Sequence, residues 1–149
     1  MTDYRMAVSP DGRMIAYVAR AGGSAALFIH EMQSGAARKL EGTNDARHPF
    51  WSPDSRSIAF FADGMLKTIE VSRGLPRDIC PAISTTRGAW NKEGTILFSP
   101  WRAPLHRVSA TGGKPSIVRA LDKAGAEEGQ FSPSFLPDGR HYLYASTQT

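Results

Sequence analysis

Four histidines and one cysteine are the residues of this chain best suited to metal binding or acid–base chemistry. His30, His48, His106 and His141 lie far apart in the sequence, and Cys80 is the only cysteine. Zinc sites usually take their ligands from pairs only a few residues apart, and a single cysteine excludes a disulfide within the chain. The sequence therefore predicts no metal site, no cofactor and no internal disulfide.

A nucleophilic serine or a pair of carboxylates would also indicate an enzyme. The segment nearest to the Gly-x-Ser-x-Gly elbow of serine hydrolases is Gly22-Gly23-Ser24-Ala25-Ala26, which lacks the last glycine. Glu127 and Glu128 are adjacent, and neighbours in an extended strand point to opposite faces of a sheet. We therefore predict that this chain has no catalytic residues and is not an enzyme by itself.

Three aspartates follow prolines in turn-like segments: Asp11, Asp54 and Asp138. Carboxylates that lie close together could coordinate a cation. An aspartate in such a turn also accepts hydrogen bonds from the backbone amides that follow it. Because the second role needs nothing beyond the local sequence, we predict that these aspartates cap their turns.

Arginine and tryptophan side chains are the best candidates for partner binding, because both residue types are enriched at binding hot spots. Trp101 and its neighbour lie in a short segment that Pro100 and Pro104 stiffen. The competing interpretation of Trp101 is packing in a gap between two structural repeats. The predicted partner-binding residues are Arg47, His48, Arg87, Trp101 and Arg102.

A recurring turn indicates which elements must position these side chains. The acidic residues of four related turns, Asp11, Asp54, Glu93 and Asp138, are 43, 39 and 45 positions apart. Short segments with alternating large apolar residues flank the turns, and such segments are typical of β-strands. A four-stranded repeat of about 40–45 residues is the signature of a propeller blade.

The repeats predict an all-β fold, a partial β-propeller of about three and a half four-stranded antiparallel blades. We assign one incomplete propeller to residues 1–149, with blades at about 4–46, 47–85 and 86–129 and a half blade at 130–149. Trp51 and Trp90 take matching positions in their blades, so both are expected in the core. Arg20–Ala26 is expected to be a loop, and Leu121–Gly129 is the best candidate for a short helix.

An incomplete propeller leaves apolar surface uncovered. Propellers need about four to eight blades to close, and an open end exposes a blade face and unpaired strand edges. Two explanations stay open at this point. The chain is either part of a longer protein or one half of a homodimer in which a second copy completes the ring.

Composition and charge exclude some classes of partner. The chain has 18 Lys and Arg, 14 Asp and Glu and a net charge of +4, without a basic and aromatic cluster of the kind that binds nucleic acid. No apolar stretch approaches the roughly 20 residues of a membrane span. We therefore predict no nucleic-acid partner and no membrane segment. The expected location is cytoplasmic if Met1 is the native start, and extracytoplasmic if the chain was cut from a longer membrane-anchored protein.

Two stretches resemble the TolB-type propeller repeat in detail. They are Phe50-Trp51-Ser52-Pro53-Asp54-Ser55-Arg56-Ser57-Ile58-Ala59-Phe60-Phe61-Ala62-Asp63-Gly64 and Phe135-Leu136-Pro137-Asp138-Gly139-Arg140-His141-Tyr142-Leu143-Tyr144. The resemblance covers essentially the whole chain. It implies the propeller fold, and it implies little about activity, because the shared residues form turns and core.

Trp90-Asn91-Lys92-Glu93-Gly94-Thr95-Ile96-Leu97-Phe98 more narrowly resembles propeller segments that follow the kinase domain of some bacterial serine/threonine protein kinases. That resemblance implies a non-catalytic module for protein–protein interaction or ligand sensing. The alternative is the accessory, substrate-gating propeller of a prolyl-oligopeptidase-type serine peptidase whose catalytic domain lies outside this chain. In either case the expected partner is a protein or peptide, or a small ligand at the mouth of the channel.

Overall fold

A computed structural model describes residues 6–21, 23–83 and 85–148 of the protein. Within these residues the chain forms β-strands and turns, and no helix that could cross a membrane. The strands are β1 (Met6–Val8), β2 (Met14–Ala21), β3 (Ser24–Glu31), β4 (Ala37–Lys39), β5 (Arg47–Trp51), β6 (Ser57–Ala62), β7 (Met65–Glu70), β8 (Arg77–Pro81), β9 (Thr85–Trp90), β10 (Thr95–Pro100), β11 (His106–Ser109), β12 (Ser116–Ile117), β13 (Glu127–Phe135) and β14 (Tyr142–Gln148).

The strands form four antiparallel sheets in which each strand pairs with the next along the chain. Sheet 1 contains β1–β4, sheet 2 contains β5–β8, sheet 3 contains β9–β12, and sheet 4 contains only β13 and β14. The first strands of neighbouring sheets contact one another, so β1, β5, β9 and β13 surround a common axis. This architecture confirms the predicted all-β class, a partial propeller of three four-stranded blades and a half blade.

The recurring turns are held by their own polar side chains. In the first turn, the Ser9 hydroxyl donates to Asp11 Oδ1 at 2.6 Å, and the Arg13 amide donates to the same oxygen at 3.0 Å. The second turn repeats this pattern, because the Ser52 hydroxyl donates to Asp54 Oδ1 at 2.6 Å. The prediction that these aspartates cap turns is therefore confirmed.

Two polar contacts connect turns of neighbouring sheets. Ser55 takes the left-handed backbone region at a φ of 61°, where glycine would be less strained. Its hydroxyl accepts a hydrogen bond from the Asp11 amide at 3.1 Å. Between sheets 3 and 4, the buried Asn91 Nδ2 donates to the Gly139 carbonyl at 2.8 Å. The turn residues thus hold neighbouring sheets in register as well as closing their hairpins.

Apolar side chains fill the space between facing sheets. Sheets 1 and 2 enclose a core that includes Trp51, as predicted, while Trp90 is half-buried against the core between sheets 2 and 3. The largest side chains among the fully buried apolar residues are Phe60, Phe98, Leu27, Ile29, Ile58, Leu66, Ile96 and Leu105. Burying one such side chain stabilises a fold by about 1.5–3 kcal/mol, so the inter-sheet cores supply most of the apolar driving force.

Directional hydrogen bonds repeat across the same junctions. The Trp51 indole N–H donates to the Ala7 carbonyl at 2.9 Å, from sheet 2 to sheet 1. The Arg38 guanidinium reaches the Val71 carbonyl of the next sheet, and the Arg77 guanidinium reaches the Ala110 carbonyl at 2.9 Å. Both arginine contacts span 33 positions. The arginine contact between blades therefore recurs with the repeat, as the blade itself does.

The sequence predicts a loop at Arg20–Ala26, and this prediction is wrong for most of the segment. β2 continues to Ala21 and β3 begins at Ser24, so the two strands pair up to their connection. Gly22 lies outside the described residues. The residues of this extension are mostly small and have no strong preference for strands, so the sequence pattern does not predict it. The extension forms because the two strands pair with each other.

Leu121–Gly129, the helix candidate, contains no helix. Asp122 Oδ1 accepts hydrogen bonds from the amides of Ala124 and Gly125, each at 3.1 Å, and closes a turn instead. β13 then begins at Glu127. An aspartate side chain that bonds to nearby amides offers the backbone an alternative to a helix, which explains the outcome.

Both end sheets present apolar side chains to solvent. On sheet 1, Met6 is 60% exposed and Val8 58%, beside a groove of about 400 Å³ that Ile15 and Tyr17 help to line. On sheet 4, Leu143 is 62% exposed. These faces correspond to the buried faces between the other sheets, so they are where further blades would pack.

Replacing Gly88 tests the inter-sheet packing. A Cβ at this position would lie 2.4 Å from Phe50 Cζ and 3.1 Å from the Leu97 carbonyl oxygen. Overpacking of this kind typically costs about 1–3 kcal/mol, so Gly88→Ala should lower the free energy of unfolding by about that amount in urea titrations.

Phe50→Leu removes the ring atoms that the new methyl group would meet. In the double variant, Gly88→Ala should therefore cost less than it does alone, by at least about 0.5 kcal/mol of interaction energy. Additive costs in the two variants would contradict this account of the Gly88 contact.

Candidate functional site

A cleft lies on the axis that the four first strands surround, and we call it the axial cleft. Its volume is about 320 Å³, at the lower end of the range of ligand pockets. All four first strands contribute to its wall, so no single sheet forms it. The lining residues are Met6, Ala7, His48, Pro49, Phe50, Arg87, Gly88, Ala89, Ser132, Pro133 and Ser134.

Two β-bulges shape the cleft. In β5, His48 has a φ of 48° and precedes Pro49, and in β13, Ser132 has a φ of 52° and precedes Pro133. The pairing registers shift at both places, between Arg47 and Phe50 and between Phe131 and Ser134. A bulge bends its strand and redirects a side chain. A left-handed non-glycine residue also stores backbone strain, which clusters at functional sites.

The polar side chains of the described cleft are cationic or neutral. Arg87 supplies a permanent positive charge, His48 an imidazole, and Ser132 and Ser134 two hydroxyl groups. Aspartate and glutamate are absent from the described lining residues. Pro49 and the other apolar residues form the remaining wall. The described part of the cleft therefore combines apolar walls with groups that form hydrogen bonds and with the Arg87 cation.

The structure separates the five predicted binding residues into two groups. His48 and Arg87 line the cleft, whereas Arg47, Trp101 and Arg102 do not. Arg47 begins β5 and is exposed, one residue before the bulge. Trp101 is 56% exposed on the turn after β10, so the competing interpretation, packing in a gap between repeats, is wrong.

Arg102 holds this turn to the start of sheet 4. Its guanidinium pairs with the Glu128 carboxylate at 2.5 Å. The backbones also approach closely, because a Cβ added to Gly129 would lie 3.0 Å from the Arg102 Cα. Glu127 lies on the other side of the strand, buried, where Oε2 accepts the Asp122 amide at 2.7 Å. The two adjacent glutamates thus have separate partners, as the alternation of an extended strand predicts.

Sequence reasoning missed the lining residues contributed by β13. A second repeat in the sequence could have revealed them. Pro49 in β5 and Pro133 in β13 each lie two residues before a large aromatic residue, Trp51 and Phe135. A proline inside a strand indicates an edge or a bulge. A proline at the same position in two first strands therefore indicates that these strands bulge toward the axis.

The remaining candidates for chemistry have structural roles. Burial raises the pKa of the Cys80 thiol to about 11, so it stays protonated and unreactive near neutral pH. His106 stacks on Phe98 with ring centroids 5.5 Å apart. His141 Nδ1 lies 2.5 Å from Asp138 Oδ2 in the fourth turn. The described residues contain no group of three potential metal ligands.

Sheets arranged around an axial cleft define the class of this protein as a β-propeller, of which the chain forms a sector. No protein-family model matches the chain. TolB from Acinetobacter baumannii has the same fold, with a TM-score of 0.75 at 17% identity over 99% of this chain and 38% of that chain. The β-propeller domain of the Trilobed protease from Pyrococcus furiosus gives a TM-score of 0.62 at 13% identity, over 98% of this chain and 55% of that chain.

A curated relative is also similar in sequence. It is the "Uncharacterized peptidase YuxL" of Bacillus subtilis (strain 168), which is 29% identical over 144 residues, or 95% of this chain. Those residues are 21% of the relative, so this chain spans about a fifth of the length of the curated relative it matches. The resemblance to TolB-type repeats is confirmed as a likeness of fold.

Asp138 makes the fourth turn sensitive to acid. The His141 side chain, followed by the His141 and Arg140 amides, lowers the pKa of this carboxyl from 3.8 to about 2. A carboxyl whose pKa is lower in the folded protein stabilises the fold fully above its unfolded pKa, and this stabilisation is lost as the pH falls through the folded pKa. The sensitive window is therefore pH 3.8 to about 2.

Asp138→Asn removes the titrating group and should lower the Tm at pH 7. The difference in Tm between wild type and variant should shrink as the pH falls from 3.8 to about 2, because the wild type loses its advantage there. His141→Ala removes the first cause of the lowered pKa and should narrow this pH dependence. A Tm difference that stays constant down to pH 2 would contradict the assigned role of the turn.

Proposed function

We propose that this chain is a sector of a non-catalytic propeller that controls the access of peptides to a serine peptidase domain in the same polypeptide. The observation that carries the proposal is the similarity to YuxL, a protein named as a peptidase, over 95% of this chain. That similarity extends beyond one blade or one turn motif. The remaining four fifths of the relative's length leave room for a catalytic domain.

The geometry of the cleft supports this role. Its walls are the first strands of four separate sheets, and its described lining residues include no aspartate, glutamate or cysteine. An extended peptide can lie along such an axis, whereas a folded domain cannot enter a recess of about 320 Å³. A propeller in front of an active site would therefore select unfolded or short substrates.

We further propose that the predicted binding residues act at two places. His48 and Arg87 contact the part of the peptide inside the cleft. Arg47, Trp101 and Arg102 contact polypeptide at the edge of the blades where the first strands begin. Exposure of Arg47 and Trp101 supports the second assignment.

A sensor propeller behind a bacterial serine/threonine kinase domain is the second candidate. The observation that favours it is the resemblance of the segment from Trp90 to Phe98, in which Asn91 stands where the other three turns have Ser or Leu. Asn91 caps its turn by accepting the Thr95 amide at 2.8 Å and also bonds Gly139. This packing role explains Asn91 without a kinase, so we place the kinase candidate second.

We propose that further blades, rather than a second copy of this chain, complete the ring. The curated relative is about five times as long as the part that this chain matches, so it has room for the missing blades.

An antibody raised against this chain can capture the native protein for a direct test. We expect the captured protein to be larger than 149 residues and to react with a fluorophosphonate probe, which modifies activated serines. Heat denaturation before labelling should abolish the reaction, and the isolated 149-residue chain should not react.

The same captured protein separates the two candidates. Incorporation of phosphate from labelled ATP, without reaction with the probe, would favour the kinase candidate. A captured protein of 149 residues, or a longer one that reacts with neither reagent, would contradict both.

A further inference from the structure

The outer face of sheet 1, which carries Ile15 and Tyr17, repeats the face by which sheet 2 packs on sheet 1. In the shared register of their strands, Ile15 and Tyr17 correspond to Ile58 and Phe60 of sheet 2. Ile58 and Phe60 are fully buried between sheets 1 and 2, whereas Ile15 and Tyr17 help to line the open groove of about 400 Å³. The outer face of sheet 1 therefore has the form of an interface between blades.

An arginine contact recurs at the two internal junctions between four-stranded sheets. The guanidinium groups of Arg38 and Arg77 donate to the carbonyls of Val71 and Ala110 in the next sheet. Met32, Val71 and Ala110 follow one another at intervals of 39 positions, and Met32 is exposed whereas the other two are buried. The Met32 carbonyl is therefore at the position where a further blade would donate its own arginine.

The two arginines belong to one sequence pattern, Leu-x7-Gly-x2-Arg, which we call the arginine motif. It consists of Leu27, Gly35 and Arg38 in sheet 1 and of Leu66, Gly74 and Arg77 in sheet 2. Both leucines are fully buried in the third strand, and both glycines take a positive φ before the fourth strand. The spacing thus determines where the arginine stands in its blade.

A second copy of this chain could not supply this contact to sheet 1. Its two arginine motifs already bond within the chain, and Ser116 takes the position of the arginine in sheet 3. Sheet 4 has only β13 and β14 among the described residues. Building on the further blades of the proposed function, we propose that the outer face of sheet 1 binds a complete blade of the same polypeptide, whose arginine motif donates to the Met32 carbonyl.

Photo-methionine incorporated into the antibody-captured native protein tests the identity of this partner. Illumination should join Met32 to a peptide that lies outside residues 1–149 and within an arginine motif. A link from Met32 to a second copy of residues 1–149, or to a segment without the motif, overturns the proposal. A captured protein of only 149 residues overturns it as well.

Hydroxyl-radical labelling measures whether the face is covered. Met32 should label about six- to ninefold less in the native protein than in the isolated 149-residue chain, since Met32 is 54% exposed and its counterparts Ala110 and Val71 are 9% and 6% exposed. Leu75, exposed in the connection after β7, should label equally in both. Equal labelling of Met32 in the two proteins overturns the proposal.

Replacing the cross-linked arginine with Gln in the native protein should raise the labelling of Met32 at least about twofold, because the loss of a contact makes local opening easier. Arg73→Gln, at an exposed position in the connection after β7, should leave that labelling unchanged. Labelling of the buried Phe60 reports any loss of the fold. Unchanged labelling of Met32 in the first variant overturns the arginine contact.

These results are separable from those of the fluorophosphonate probe. A native protein that reacts with the probe but leaves Met32 as exposed as in the isolated chain would remove only this interface. A longer native protein that covers Met32 and reacts with neither reagent would support the interface and remove the peptidase and the kinase.

Discussion

Packing of one sheet against the next is the interaction on which the rest of this structure depends. Each blade is too thin to bury an apolar face by itself, and the fully buried Ile58 and Phe60 lie in a core that sheet 1 helps to form. Repeat proteins are stabilised in this way, by units that contact only their neighbours. Arg38 and Arg77 also donate hydrogen bonds to carbonyls of the next sheet, and these bonds constrain how neighbouring sheets are oriented.

The same packing positions the candidate site. The cleft has no core of its own, and its walls are first strands whose other residues, such as Trp51, are buried between sheets. Side chains at the bulges can therefore project toward the axis while the strand stays fixed two or three residues away. This separation allows the bulge residues His48 and Ser132 to vary without loss of the fold, which is how binding surfaces on rigid scaffolds generally arise.

The fold could be predicted from the sequence because its signals are local and repeated. Proline, glycine and aspartate at turns such as Ser9–Gly12 determine hairpins within a few residues. The cleft was only partly predictable, since Arg87 and His48 belong to strands 39 positions apart that only the sheet packing brings together. Ser132 was missed because a serine in a strand carries no distinctive pattern until the bulge before Pro133 is known.

Hydrogen exchange measured strand by strand tests most directly whether inter-sheet packing holds the fold together. Opening free energies follow the contacts that a segment would lose. The slowest amides should therefore lie in β6 and β7, whose sheet is covered on both faces, with β2 intermediate and β14 fastest among the long strands. Uniform protection across all four sheets, or slower exchange in β14 than in β6, would contradict the central role of the junctions.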